Sequence, residues 1–224
     1  MIAHLREHDR AGVFAAMGSG KTLGTALALE NIDLFDDAPA LVLGPKRVAN
    51  KTWPDELRRW DRFKHLEVQP VIGTATERFA ALANKNASIF TMNYENLPWL
   101  VQHFGIAGWP FKTIVSDEST RLKNYRTMQG GKRTQQLARV AWSKNVNRFI
   151  ELTGTPTPNG LLDLWGPLWF LDRGERLGQV DPAAVRQPPR GRRRRSHHAR
   201  RRRHHRPAHR CGCRARPDGR GLPG

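Results

Sequence analysis

The stretch Ala15-Ala16-Met17-Gly18-Ser19-Gly20-Lys21-Thr22 constrains this chain more than any other. It is one glycine short of the pattern G-x-x-x-x-G-K-[ST], with Ala15 where the first glycine would stand. The physical content survives. Gly18 and Gly20 let the backbone turn tightly and bring its N–H groups, with those of Met17 and Ser19, toward phosphate oxygens. Lys21 can reach β and γ phosphates, and Thr22 can offer its hydroxyl to Mg²⁺. Gly12 to Ala16 is a short apolar run that reads as a buried strand. Thr22 to Glu30 reads as the following helix, whose N-terminus faces the anion with unpaired N–H groups and the positive end of its dipole. The bland alternative, a glycine-rich turn with a chance Lys-Thr, does not account for strand, loop and helix falling in that order.

The 224 residues, 38% hydrophobic and 26% charged, suffice for one α/β domain with its own core and are short for two. The first ten residues lack the apolar stretch of a signal peptide. No run of about eighteen apolar residues offers a membrane span. The two cysteines, Cys211 and Cys213, agree with a reduced cytoplasmic setting, and one C-x-C lacks the spacing of a structural zinc site. The net charge of +18 resembles that of a nucleic-acid binder until it is divided. Residues 181–224 hold 15 Arg, no Lys and two Asp, a net of +13, which leaves +5 for the first 180. The body can offer only a modest positive face to a phosphate backbone.

Other apolar runs are spaced along the chain. Ala40 to Pro45, Leu66 to Ile72, Ser88 to Met92, Phe111 to Ser116 and Phe149 to Leu152 read as further strands. Helices are expected over Thr52–Trp60, with Thr52 as N-cap and Pro54 in the first turn, and over Thr76–Ala83. Another is expected over residues 126–144, weakened by Gly130-Gly131. A last one carries Leu161, Leu164, Trp165, Leu168 and Trp169, with a kink at Gly166-Pro167. The end of a helix precedes the first strand. Strands alternating with helices imply an α/β fold, a mainly parallel sheet with helices on both faces. The seven tryptophans read as core or interface. From residue 179 the composition turns Arg-rich and aperiodic, so a disordered tail is expected over 179–224. Two origins account for it: translation of a high-GC gene in a shifted frame, or a genuine Arg-rich arm.

The second informative stretch is Ile114-Val115-Ser116-Asp117-Glu118. An apolar strand delivers two adjacent carboxylates at its C-terminal end, where open α/β sheets place their ligands. They stand 96 residues beyond Lys21. Phosphoryl transfer needs a metal-holding acid, here Asp117, and a water-orienting base, here Glu118. Asp117-Glu118-Ser119-Thr120-Arg121-Leu122-Lys123-Asn124 resembles the D-E-A-H-R-L-K-N segment of the Swi/Snf-type ATPases of helicase superfamily two. Met17 to Thr22 resembles their M-G-L-G-K-T, and Leu152-Thr153-Gly154-Thr155-Pro156 matches their L-T-G-T-P. Val42 to Lys46 and Thr91-Met92-Asn93-Tyr94-Glu95 resemble two further motifs that in the family face the DNA backbone. The five motifs cover roughly residues 11–175, in the manner of phage or bacterial members.

The resemblance implies a RecA-like, P-loop ATP-binding lobe over residues 1–178 of a DNA-dependent ATPase that hydrolyses ATP with Mg²⁺ and translocates on double-stranded DNA. It implies phosphate and metal contacts at Gly18, Gly20, Lys21 and Thr22, metal at Asp117, and a base at Glu118. It implies coupling through Thr153, Gly154 and Thr155, and DNA contacts at Lys46, Arg47, Asn93 and Lys123, with Arg121 beside them. Thr120 stands in place of the family's frequent His, and its hydroxyl is expected to reach toward Thr153 or Thr155. The family's upstream glutamine motif is missing, so Met1 is expected to be an internal start. The second RecA-like lobe, which in the family supplies an arginine finger, is also expected to be missing. The alternatives are a nucleotide- or DNA-binding fragment without turnover, a small-molecule kinase, and a non-functional gene remnant.

Overall fold

In the computed structural model, which describes residues 1–36, 38–125 and 131–177, the apolar runs become six short strands. They are β1 (Arg10–Phe14), β2 (Ala40–Gly44), β3 (Glu67–Pro70), β4 (Ala87–Asn93), β5 (Thr113–Asp117) and β6 (Arg148–Thr153). They form one sheet in the order β1-β6-β5-β2-β4-β3, and every pairing is parallel. The expected mainly parallel sheet is thus wholly parallel.

Alternation along the strands sends side chains to two separate cores. In β2, Leu41 and Leu43 join one, while Ala40 and Val42 join the other. The helices are α1 (Ile2–Glu7), α2 (Lys21–Asp36), α3 (Trp53–Arg58), α4 (Ala75–Leu82), α5 (Leu97–Phe104), α6 (Lys132–Ala141) and α7 (Trp165–Asp172). The first three cover the face of Val42, Ile89, Val115 and Ile150, through Leu5, Ala26, Leu29, Trp53 and Leu57. The last four cover the face of Leu41, Phe90, Ile114 and Phe149. Parallel strands need such crossover helices, and both faces of the sheet are consequently dry. Edge strand β1 is fastened by Arg10, whose guanidinium donates to the carbonyls of Phe170 and Ala141 and lies over the Trp142 ring. Burial, helped by the nearby charge of Arg173, pulls that guanidinium down to about 10.

Several local expectations are revised. Thr52 is not a capping residue. Its backbone is helical, no side-chain cap bond forms, and the chain is already wound as a π turn over Val48–Thr52 before α3 begins. The true cap is Thr74, which shares a reciprocal capping box with Glu77 at the start of α4. Gly166-Pro167 does not kink a helix. The break falls earlier, where the 3₁₀ turn Leu161–Leu164 gives way to α7, so Pro167 sits in the first turn, where its missing N–H costs nothing. Helix α5 was not foreseen. The helix expected over 126–144 begins at Lys132 and ends at Ala141, and residues 126–130 lie outside the described residues. The boundary at 178/179, the Arg-rich tail and both cysteines lie outside them too. Among the described residues no helix is long and apolar enough to cross a membrane.

Gly166 lets α7 press against the turn Ser119–Leu122. A Cβ there would stand 2.1 Å from the Leu122 carbonyl oxygen, 2.9 Å from its carbon and 3.1 Å from Lys123 Cα, all backbone atoms with little freedom to yield. In an open helix Gly→Ala stabilises by about 1 kcal/mol. Here Gly166→Ala is expected to destabilise the chain by about 1–3 kcal/mol through overpacking. Urea unfolding decides by sign: a midpoint at or above the parent's would show that the two elements are not locked.

Candidate functional site

The loop after β1 stays fastened to β6, because Ala15 N–H donates to the Thr153 carbonyl at 3.1 Å. The chain then turns through Met17–Gly20, and α2 starts at Lys21. Gly18 and Gly20 both have φ +75°, yet a Cβ at either would meet nothing within 4 Å. The left-handed backbone, not lack of room, is what favours glycine there. Ala15 is not among the residues with positive φ, so the missing first glycine leaves the turn intact. Lys21 Nζ folds back and donates to the carbonyls of Ala15 and Ala16, both at 2.7 Å.

β5 brings Asp117 and Glu118 to the same end of the sheet. Asp117 Oδ2 accepts from the indole Nε1 of buried Trp53 at 2.9 Å. Burial raises the Asp117 carboxyl. The Trp53 bond opposes this, the Glu118 charge adds to it, and the Lys21 charge reaches across to lower it. Beneath, the buried Tyr94 hydroxyl donates to the Asp117 carbonyl at 3.0 Å and lies 2.7 Å from Ser116 Oγ. Burial holds Tyr94 well above the usual phenol range, so it remains a donor. The roles of Trp53 and Tyr94 in bracing Asp117 had no signal in the sequence, since both bridge segments far apart in the chain.

Glu118 itself adopts a left-handed backbone, φ 63° and ψ 58°, which a residue with a Cβ pays for in strain. Its Oε1 accepts from Thr120 Oγ1 at 2.6 Å and from Thr153 Oγ1 at 3.3 Å. Thr120 therefore reaches Thr153 only through the carboxylate of Glu118, not directly as anticipated. Thr153 Oγ1 also accepts from Thr155 N–H at 3.1 Å. A Cβ on Gly154 would lie 3.2 Å from Met17 Cγ and 3.4 Å from Met17 N, so this segment abuts the glycine loop. Lys21, Thr22, Asp117, Glu118 and Thr153–Thr155 are thus gathered around β1, β6 and β5 at one end of the sheet.

The residues anticipated as nucleic-acid contacts divide. Lys46 and Arg47 are exposed just past β2. Asn93 is buried, donating to Glu95 Oε2 at 2.9 Å and accepting from Asn96 Nδ2 at 2.7 Å. Lys123 Nζ lies 3.9 Å from Oδ2 of the buried Asp163. Asn93 and Lys123 are therefore engaged within the fold, while Arg121 is exposed.

Residues 1–177 match the family model described as an SNF2-related domain. A putative protein, p41, of Acyrthosiphon pisum secondary endosymbiont phage 1 is 55% identical over 182 residues, covering 80% of this chain and 39% of that protein. The ISWI chromatin-remodeling complex ATPase ISW1 of Saccharomyces cerevisiae is 30% identical over 179 residues, covering 76% of this chain and 14% of that protein. Among solved structures, the SWI2/SNF2 ATPase core of Sulfolobus solfataricus in complex with dsDNA superposes with a TM-score of 0.61 at 25% identity, covering 77% of this chain and 34% of that one. The chain belongs to the SNF2-related family, and its fold is that family's RecA-like lobe. It spans about two fifths of the phage relative and about a third of the archaeal core.

One buried acid was not anticipated. Glu151 faces the α7 side of β6, between Gly12 and Ser116, and among the described residues neither of its oxygens has a hydrogen-bond partner. Burial raises its carboxyl well above the usual range, so the folded chain holds a proton that the unfolded chain releases. This costs nothing below the unfolded pKa and destabilises progressively as pH rises above it, up to the folded pKa. Glu151→Gln removes the effect. Its stability relative to the parent is expected to grow as pH rises above the ordinary carboxyl range, with a limiting slope of about 1.4 kcal/mol per pH unit for one proton. A pH-independent difference in urea unfolding would show that Glu151 is ionised in the fold.

Proposed function

We propose that this chain is the ATP-binding lobe of a DNA-dependent ATPase, which hydrolyses ATP with Mg²⁺ in concert with a second RecA-like lobe. The observation that carries the reading is the meeting of three segments at one sheet end, with Glu118 bonded to Thr153 and Gly154 packed on Met17. A nucleotide-binding loop alone would not need the third segment. Met17 to Gly20 would cradle the phosphates through backbone N–H groups, and Lys21 would exchange the carbonyls of Ala15 and Ala16 for phosphate oxygens. Thr22 and Asp117 fit Mg²⁺, which takes few protein oxygens and completes its shell with phosphate and water. Bound there, the ion would neutralise charge on the transferring phosphoryl group. Glu118 would orient the attacking water, and Thr153 and Thr155 would relay its state to the DNA face. The solved dsDNA complex of the archaeal relative supports duplex DNA as the partner, with Lys46 and Arg47 as exposed contacts.

Lys21→Ala is expected to abolish ATP·Mg²⁺ binding while leaving the fold intact, since Lys21 is not part of either core. Equal nucleotide affinity in mutant and parent, measured by calorimetry, would remove the phosphate-loop assignment.

An arginine finger contributes about 10³–10⁵ in rate where one is used, and in the family it comes from the second lobe. A cation that is not held within about half an ångström of its productive position cannot replace it. The purified 224-residue chain is therefore expected to bind ATP but to release phosphate near background, with little stimulation by DNA. Supplying the second lobe of a close relative should restore DNA-stimulated hydrolysis, and Glu118→Gln should then abolish it while sparing ATP binding. Robust turnover by the 224 residues alone, lost in Glu118→Gln, would show instead that this chain is a complete catalytic unit.

A further inference from the structure

Just past β4, one guanidinium group is bonded to a carboxylate and the charge of a second acts on it. Arg133, in the first turn of α6, donates to Glu95 Oε1 at 2.7 Å, and the charge of Arg121 reaches Glu95 from the turn after β5. The other oxygen, Oε2, accepts from Asn93 Nδ2 at 2.9 Å. Asn93 Oδ1 accepts from Asn96 Nδ2 at 2.7 Å, and Asn96 Oδ1 accepts from Arg78 Nη1 at 2.9 Å. Four hydrogen bonds in series thus run from α4 to α6 and fix this acid. Partial burial pushes its carboxyl up. The Asn93 amide, its own backbone N–H and the two arginines outweigh that and hold it below the usual range, so Glu95 is ionised.

The same two arginines line a cleft of about 300 Å³ beside the Asp117–Glu118 turn, together with Lys123, Asn124 and Thr134. Lys123 is steadied there by Asp163. Arg133 and Glu95 are each about half exposed, at 52% and 51%, so an incoming anion can reach the pair. An exposed ion pair contributes little to stability, and a brace of three further hydrogen bonds behind it is more than stability calls for. Guanidinium groups bind phosphate bidentately through the same fork that they offer a carboxylate.

We propose that this cleft seats one backbone phosphate of duplex DNA and that Glu95 is its built-in placeholder. The carboxylate holds Arg133 in the phosphate-binding arrangement, in the cleft that Arg121 also lines, and gives it up when a phosphate arrives. The proposal rests on the DNA reading above and goes further in one respect, the sign of an effect. In a plain cationic patch Glu95 would be a bystander; as a placeholder it competes with the ligand.

The test uses the full chain and a labelled duplex of about 20 base pairs, titrated at about 50 and 200 mM salt. Glu95→Gln is expected to bind about three- to tenfold more tightly at the lower salt, with Glu95→Ala as a second variant should Gln retain the bond to Arg133. Arg121→Gln and Arg133→Gln are expected to weaken binding and to lower the slope of log affinity against log salt by about one each. The gain from Glu95→Gln should shrink when Arg133 is also replaced. Glu67→Gln, the same charge change at the other end of the sheet, where the neighbouring strand β3 begins, is the control. Equal gains from Glu67→Gln and Glu95→Gln, or no gain from either Glu95 variant, would overturn the proposal. Inorganic phosphate supplies the last arm. If it perturbs the Arg121 and Arg133 side-chain NMR signals while no variant alters duplex affinity, the cleft belongs to a free anion and the DNA seat is refuted. If the parent does not bind duplex at all, the DNA reading falls and takes this proposal with it. If the parent binds and every variant matches it, the seat and its placeholder both fall while the DNA reading stands.

Discussion

Strand β6 lies between β1 and β5, and the arrangement of the site depends on that single insertion. β1 ends in the glycine loop and β5 ends in the two acids, and neighbouring strands in a sheet are about 4.8 Å apart. With β6 between them, loop and acids stand about two strand spacings apart, near 10 Å, which leaves width for a phosphate tail and a hydrated ion. The segment that emerges between them is necessarily Thr153–Gly154–Thr155. It touches both neighbours: Gly154 packs on Met17, and Thr153 bonds Glu118. The strand order, rather than any one side chain, makes this segment the natural relay between the two halves of the proposed site.

That geometry is held against opposing costs. Glu118 sits in a left-handed backbone. Asp117 and Glu151 are acids whose carboxyls are raised by burial. Each feature is destabilising alone, by about 1–3 kcal/mol for a strained residue of this kind. The surrounding structure over-determines them. Trp53 from α3 and Tyr94 from the turn after β4 fasten Asp117 from both faces of the sheet. Thr120 and Thr153 hold Glu118, and Gly166 lets α7 close over the turn behind it. The two dry cores supply the rigidity against which such strain can persist.

The strands were legible in the sequence because a parallel strand covered on both faces reads as an unbroken apolar run, as Ala40 to Gly44 does with every position buried. The glycine loop was legible because positive φ at Gly18 and Gly20 selects residue type directly. Helix α5 was missed although its buried residues Leu97, Leu100 and Val101 fall at helical spacing, because the helix is only 8 residues long and its N-cap residue Asn96 makes no side-chain cap bond. Thr52 misled because a good capping residue beside Pro54 looks the same whether the helix starts there or one turn earlier. Asn93 and Lys123 were anticipated as DNA contacts, Asn93 from a motif that faces DNA in the family and Lys123 as a cation beside the two acids. Their partners, Glu95, Asn96 and Asp163, are set by turns whose course the sequence does not announce.

Thr120 departs from the family pattern, and the fold meets that departure with a different set of contacts. Where the family often carries His, an imidazole could span directly to the coupling segment. A threonine hydroxyl is too short for that, and here it donates to Glu118 Oε1, which Thr153 also contacts. Both donors meet on one oxygen, so the carboxylate is fixed in rotation while Oε2 takes no hydrogen bond among the described residues. In the proposed reaction Oε2 is then the oxygen that meets water, and any shift of Thr153 is felt at the base through a single shared atom. Coupling of this kind needs no long side chain at position 120; it needs a donor close enough to share Glu118 with β6.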